Sequence, residues 1–369
     1  MRIGVPRETK DGERRVGVTV EGTRALVADG HTVTVDTGAG AGVGLSDDAY
    51  RAAGAHVTAT AEAVWASELV VKVKEVQPGE YALLQPGSTI FGFHQINRDP
   101  ALLAALLHAR VAVIGYETVR DAQGGVPLLA PMSRIAGRLA PFAGAEALGT
   151  ARGGSGVLLC GVDDVPGARV VVIGAGNAGG EATRIAARLG AQVTVFSRGK
   201  ARREALVASL AAEGRRIQGL PMEEASLASH VRDADLVIGA VLEPGKLSPK
   251  LLPRVLVRSM RPGSAIVDVG IDQGGIAETS RMTSITDPTY VECGVVHYAV
   301  PNMPSLVART ATLALAAATL PFVLRLAAGM DAALAADPGL RAGLMVRDGD
   351  IVHAGLAADA RRGANAAAA

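Results

Sequence analysis

Three glycines, Gly174, Gly176 and Gly179, stand in a G-x-G-x-x-G spacing directly after the apolar run 170–173. At that spacing glycines allow a tight turn, a close backbone approach to a pyrophosphate, and close packing of the next helix on the preceding strand. The helix N-terminus then offers N–H groups and the positive end of its dipole to the phosphates. The chemistry expected is dinucleotide binding. An NAD site usually places an acid about 20 residues further on to accept from the ribose 2′-OH. This chain instead has Ser197, then Arg198, Gly199, Lys200, Arg202 and Arg203, with no carboxylate before Glu204. A hydroxyl beside arginines can hold a 2′-phosphate through charge-assisted hydrogen bonds, whereas a carboxylate would repel it. NADP(H) is therefore the expected coenzyme, with NAD(H) as the alternative and a solvated basic turn as the bland reading.

Further candidates are charged residues at the ends of expected strands. Arg15 and Lys74 could fix a small acid, Arg by its planar fork and Lys by polarising a carbonyl; on the residues alone they read first as ion pairs with Glu13 and Glu75. Asp272 follows the strand expected at 265–269, where ligands of open α/β sheets collect, with a helix N-cap as its alternative. Asp268 lies inside that strand and is the weaker candidate. His31, His56, His108, His230, His297 and His353 are scattered without ligand spacing, so no metal site is expected.

The elements that must position these groups alternate along the chain. Around the glycine turn the pattern predicts a strand at 170–173, a helix at 178–189 ended by Gly190, and a strand at 192–196, the size of a βαβ unit. Strands follow at 236–240 and 265–269. Earlier, strands are expected at 2–5, 31–35, 69–73, 89–93 and 111–116, with helices at 20–29, 46–53 and 100–109 between them. This is a second α/β domain with a parallel sheet. Residues 132–154 read as a long helix kinked near Pro141. The apolar stretch 306–329 holds Arg309, Thr310, Thr312, Pro321 and Arg325, which favours a buried or interface helix over a membrane span.

A chain of 369 residues suggests two domains. A net charge of +1 and only 3% aromatic residues give no case for nucleic acid or an anionic membrane. The two cysteines, Cys160 and Cys293, are too few for a disulfide framework and read as small core residues. No signal-peptide pattern opens the chain, so a cytoplasmic protein is expected.

With these pieces placed, the chain resembles the alanine dehydrogenase family, which also includes the NAD-binding part of the proton-translocating pyridine nucleotide transhydrogenase. The resemblance runs through R-I-G-V-P-R-E-T-K from Arg2, E-R-R-V from Glu13, V-K-V-K-E from Val71 and Y-E-T-V from Tyr116. It continues through L-L-A-P-M-S from Leu128, I-A-G-R-L-A from Ile135, V-I-G-A-G-N-A-G from Val172, D-L-V-I-G-A-V-L from Asp235, V-D-V-G-I-D-Q-G-G from Val267 and V-P-N-M-P from Val300. It implies two Rossmann-like α/β domains with the active site in the cleft between them. The substrate domain would be discontinuous, 1–130 plus 303–369, and the dinucleotide domain 131–302. It also implies a homo-oligomer, commonly a hexamer, and a reaction in which pyruvate, ammonia and reduced coenzyme give L-alanine through an imine.

Residue by residue, the resemblance implies that Arg15 and Lys74 bind the substrate and that Asp272 serves its amine or activates water. It adds Asn177, Ala178, Ser133, Val241, Leu242 and Asn302 to the coenzyme residues Gly174, Gly176, Gly179, Ser197, Arg198, Lys200 and Arg203. The chain departs from the family at its catalytic histidine, whose position Gln95 occupies. Glutamine can donate a hydrogen bond but cannot exchange a proton near neutral pH. His94 is the alternative acid or base, although side-chain alternation points it the other way. Arg134 replaces a usual Glu and could recruit a further anionic group of the substrate or of NADP. The expected activity is hydride transfer between NADP(H) and a 2-amino acid or its imine or 2-oxo acid, with a substrate other than alanine left open. The alternative is a nucleotide-responsive binding protein that has lost turnover.

Overall fold

The computed structural model describes residues 1–241 and 247–367. The chain divides into two units, residues 1–132 with 307–369, and residues 133–306. Each is built around one largely parallel sheet, as expected of two Rossmann-like α/β domains.

The first unit contributes strands β1 (Arg2–Val5), β2 (Thr32–Asp36), β3 (His56–Thr58), β4 (Leu69–Val71), β5 (Thr89–Gly92) and β6 (Ala112–Gly115) in the order β3-β2-β1-β4-β5-β6. Two late strands, Leu344–Arg347 and Asp350–Ile351, extend the β6 edge in antiparallel sense. β4, β5 and β6 are buried at every residue, as continuous apolar runs in a parallel sheet covered on both faces should be. The crossover helices begin where the sequence supplies caps. Thr19 accepts from Gly22 N–H before Val20–Ala28, and Asp99, with Pro100 in the first turn, accepts from Leu102 N–H before Pro100–His108. The strand order reverses between β1 and β4, so the loops leaving those two strands define a switch point where ligands of such sheets bind.

The second unit adds β7 (Arg169–Ile173), β8 (Gln192–Phe196), β9 (Ile217–Leu220), β10 (Leu236–Gly239), β11 (Ala265–Asp268), β12 (Thr289–Glu292) and β13 (Val295–Tyr298), ordered β12-β13-β11-β10-β7-β8-β9. All neighbours are parallel except the edge strand β12. Its reversal lies between β7 and β10, and the glycine turn leaves β7 there.

Two expectations need correction. The helix carrying Pro141 runs over Ala130–Leu148 and does not reach residue 154; Gly153 and Gly156 take φ of +82° and +75°, a left-handed geometry that ends a helix. Cys160 is exposed and so is not a core residue, while Cys293 is half-buried and packs against the core of the second unit. The run Met303–Ala328 is the one described helical stretch long and apolar enough to cross a membrane by length and composition. It carries Arg309 and Arg325, and Ala311, Leu315, Val323 and Leu326 on its length are buried in the first unit.

Candidate active site

In the second unit the glycine spacing follows from steric need. Gly174 has φ +108°, and a Cβ there would meet the Ala240 carbonyl at 2.5 Å. A Cβ on Gly179 would lie 1.8 Å from the Gly174 carbonyl, so the helix Asn177–Leu189 packs on the strand only with glycine at that position. Nothing lies within 4 Å of a Cβ on Gly176, which leaves space for a ligand group against the backbone. The turn therefore fits a pyrophosphate at a helix N-terminus. Asn177 and Ala178 begin that helix.

Ser197 follows β8, and its Oγ accepts from Gly199 N–H at 3.3 Å. Arg198 and Lys200 are exposed beside it. Arg203, expected among the phosphate ligands, is instead only 8% exposed and its Nη1 donates to the Ser197 carbonyl at 2.5 Å. It braces the turn that presents the serine. Lys200 Nζ stands 3.9 Å from Glu204 Oε1, an exposed pair that water screens.

Asp272 lies inside the short 3-10 turn Ile271–Gln273, whose cap is Gly270, so the capping alternative is not its role. Its Oδ2 accepts from the N–H of Asn302, a residue held at φ +54°. Asp268 does structural work. It is 2% exposed, and its Oδ2 accepts from Ile276 N–H at 2.8 Å and from Ser280 Oγ at 2.6 Å. Burial raises its carboxyl above the usual range, against those hydrogen bonds. Ser133 and Val241 are half-buried and Arg134 is exposed; Leu242 lies outside the described residues.

In the first unit, Arg15 is 2% exposed and forms a fork with Glu13, Nε to Oε1 at 2.7 Å and Nη2 to Oε2 at 2.5 Å. Its Nη1 meets Met132 Sδ at 3.1 Å. The ion pair expected on the residues alone exists, but it is buried. Lys74 is 5% exposed, with Nζ 3.9 Å from Glu75 Oε2. Burial alone would raise the Glu75 carboxyl, but Lys74 and Lys10 outweigh it and hold the group below its usual range.

Gln95 sits at the end of the β5 segment at φ +45°, a left-handed conformation uncommon outside glycine. Glu117 holds it there: its Oε1 accepts from both His94 N–H, at 3.0 Å, and Gln95 N–H, at 2.8 Å. Burial raises the Glu117 carboxyl above the usual range despite those amides and the nearby Lys74 charge. His94, weighed as a catalytic alternative, is fully buried, and neither ring nitrogen has a close hydrogen-bond partner among the described residues. Burial lowers its pKa to about 3, outweighing the favourable influence of Glu75 and the Ile90 carbonyl. It is a neutral core residue and cannot exchange protons near pH 7. Gln95, next to it, is half-buried.

Sequence reasoning missed the acids that hold these loops. Glu8 Oε1 accepts from Val73 N–H at 2.6 Å and its Oε2 from Lys74 N–H at 3.3 Å. Lys72, fully buried, places Nζ 2.7 Å from both Glu80 oxygens, and Thr9 Oγ1 donates to Glu80 Oε1 at 3.0 Å. The signal was available: Glu8, Lys72 and Glu117 are charged residues that follow the apolar ends of β1, β4 and β6 within three positions.

The sequence matches the Alanine dehydrogenase/PNT, N-terminal domain over residues 4–136 and the Alanine dehydrogenase/PNT, C-terminal domain over residues 140–354. It is 48% identical to an alanine dehydrogenase of Halomonas elongata, over 97% of this chain and 96% of that protein. Alanine dehydrogenase 2 of Staphylococcus aureus is 43% identical over the same shares. Among solved structures, an L-alanine dehydrogenase superimposes with a TM-score of 0.93 at 44% identity, covering 98% of this chain and 99% of that one. A transhydrogenase from Sinorhizobium meliloti gives a TM-score of 0.81 at 26% identity, covering 96% and 99%.

Proposed function

The chain belongs to the alanine dehydrogenase/PNT family of oxidoreductases, and from that premise we propose that it interconverts a 2-amino acid with its imine or 2-oxo acid, using NADP(H) in preference to NAD(H). The observation that carries this reading is the retention of buried Arg15 and Lys74 in a chain whose glycine turn can seat a pyrophosphate. The glycine turn and the N-terminus of Asn177–Leu189 would hold the coenzyme diphosphate, with Asn302 and Val241 as further contacts. When bound, the nicotinamide supplies or accepts the hydride.

The residues of the chain would do the rest. Arg15 presents its guanidinium to the substrate carboxylate, held in orientation by Glu13. Lys74 Nζ donates to the carbonyl oxygen or imine nitrogen and stabilises negative charge that develops there. Asp272 orients the amine and takes its proton. The Gln95 side-chain amide donates a hydrogen bond to the reacting group and fixes its orientation. With no imidazole at that position, proton exchange falls to Asp272 and to water. Arg134, an exposed cation, would recruit a second anionic group on a substrate larger than alanine.

The preference for NADP(H) rests on Ser197 with exposed Arg198 and Lys200. Replacing Ser197 with Asp would set a carboxylate against the 2′-phosphate, a like-charge contact costing several kcal/mol. The expected result is a drop of about 100-fold in kcat/KM with NADPH, while the value with NADH changes by less than about 3-fold. Equal kcat/KM for the two coenzymes in the wild-type enzyme would overturn the NADP(H) assignment. The second reading, a nucleotide-responsive binding protein, is favoured by Gln95; it would show tight NADPH binding with no turnover on a panel of 2-oxo acids and amines.

A further inference from the structure

β4 ends at Val71, yet the next residues stay fixed. On one side they keep a strand-like ladder, with Lys72 N–H to the Phe91 carbonyl at 3.0 Å and Phe93 N–H to the Val73 carbonyl at 3.1 Å. On the other side, among the described residues, no strand accepts the N–H groups of Val73 and Lys74. The Glu8 carboxylate, from the loop leaving β1, takes both. Its side chain is only 2% exposed, and the cation beside it, Lys72 at 3.8 Å, is already engaged by Glu80. Burying a carboxylate is costly unless hydrogen bonds and charge compensate it. Here the compensation comes from the Lys72 charge and from the amides of the lysine-bearing loop at the switch point of the sheet.

We propose that Glu8 is a positioning residue for substrate binding: by fixing the backbone of Val73 and Lys74, it sets the point from which Lys74 Nζ reaches the substrate carbonyl. The inference rests on the role given to Lys74 above. Glu8 touches no reacting atom; it acts through the loop.

The charges around Glu8 give the device a pH dependence. Facing it are Lys72 and Lys74 from the loop after β4, Glu80 from the 3-10 segment Pro78–Leu83, Glu13 from the turn after β1, and the Tyr116 hydroxyl after β6. Burial pushes its pKa to about 7; Lys72 and the Val73 amide oppose the rise, and Glu13 and Glu80 add to it. Below that value the carboxyl carries a proton, and the protonated oxygen is a poor acceptor for an amide. The clamp is complete only above it. The KM for the acid should therefore rise as pH falls through about 7.

The test uses pyruvate as probe, with saturating NADPH and ammonium, between about pH 6 and about pH 8.5. It compares the full-length wild type with Glu8→Gln, Glu8→Asp and Lys74→Met. Pyruvate is also titrated calorimetrically onto the coenzyme-saturated proteins. In Glu8→Gln the pyruvate KM is expected to rise about 10-fold, the worth of one charge-assisted hydrogen bond, and kcat to fall as well, by a smaller factor than in Lys74→Met. The break near neutral pH should vanish in Glu8→Gln and survive in Glu8→Asp, which carries the test if the amide variant does not fold. NADPH affinity should be unchanged. A raised KM in Lys74→Met with none in Glu8→Gln would overturn the inference alone. So would a loss of NADPH affinity in Glu8→Gln as large as the KM effect. An unchanged KM in Lys74→Met would overturn the role of Lys74 and the inference with it.

Discussion

Replacing Lys74 with Met is expected to lower kcat for reductive amination by about 10²- to 10³-fold and to raise the KM of the 2-oxo acid, the loss seen when one preorganised donor to a developing negative charge is removed. Methionine keeps the length and apolar stem of the side chain, so a residue only 5% exposed is replaced without a large cavity. Glu75 retains Lys10 as a hydrogen-bonded partner, which limits the loss of stability. Arg15 would be the poorer choice. Truncating it leaves Glu13 buried without its fork, a cost of about 3–5 kcal/mol to folding that would mix with any effect on binding. In Lys74→Met, NADPH affinity serves as the control, since the glycine turn belongs to the other unit. A kcat within about 3-fold of wild type would show Lys74 to be a buried ion-pair residue only.

The second large effect belongs to Asp272. Asp272→Asn keeps an oxygen to accept from Asn302 N–H, so the turn Ile271–Gln273 should hold its shape while the carboxylate base is lost. Loss of general base catalysis predicts a fall in kcat of about 10²- to 10⁴-fold, measured by steady-state turnover with saturating NADPH and ammonium. With Gln95 unable to exchange a proton, no imidazole stands in for the missing base, and the upper part of that range is expected. A fall of less than about 3-fold would reduce Asp272 to a latch on Asn302.

What could be read in the sequence was what local sterics dictate. Gly179 is forced by the Gly174 carbonyl 1.8 Å from where its Cβ would lie, so spacing alone announced the turn and its helix. Groups whose partners lie far along the chain could not be read in this way. Glu8 holds amides 65 and 66 residues away, and Glu117 holds amides 22 and 23 residues away. No periodicity encodes such pairs. Arg203 read as a phosphate ligand, although its Nη1 donates to the Ser197 carbonyl six residues back, because residue type alone does not say which way a cation turns. The helix through Pro141 was drawn too long because apolar periodicity does not record the left-handed φ at Gly153.

The most direct measurement follows a label. The enzyme is supplied with reduced coenzyme bearing deuterium at the transferable position of the nicotinamide, with ammonium and a panel of 2-oxo acids, and the amino acids formed are weighed by mass spectrometry. The expected result is one deuterium at C2 of the amino acid for each coenzyme oxidised, with the initial rate of labelling lowered in Lys74→Met and Asp272→Asn by the factors given above. Coenzyme that binds tightly while no labelled amino acid appears from any 2-oxo acid would contradict the assignment of a dehydrogenase.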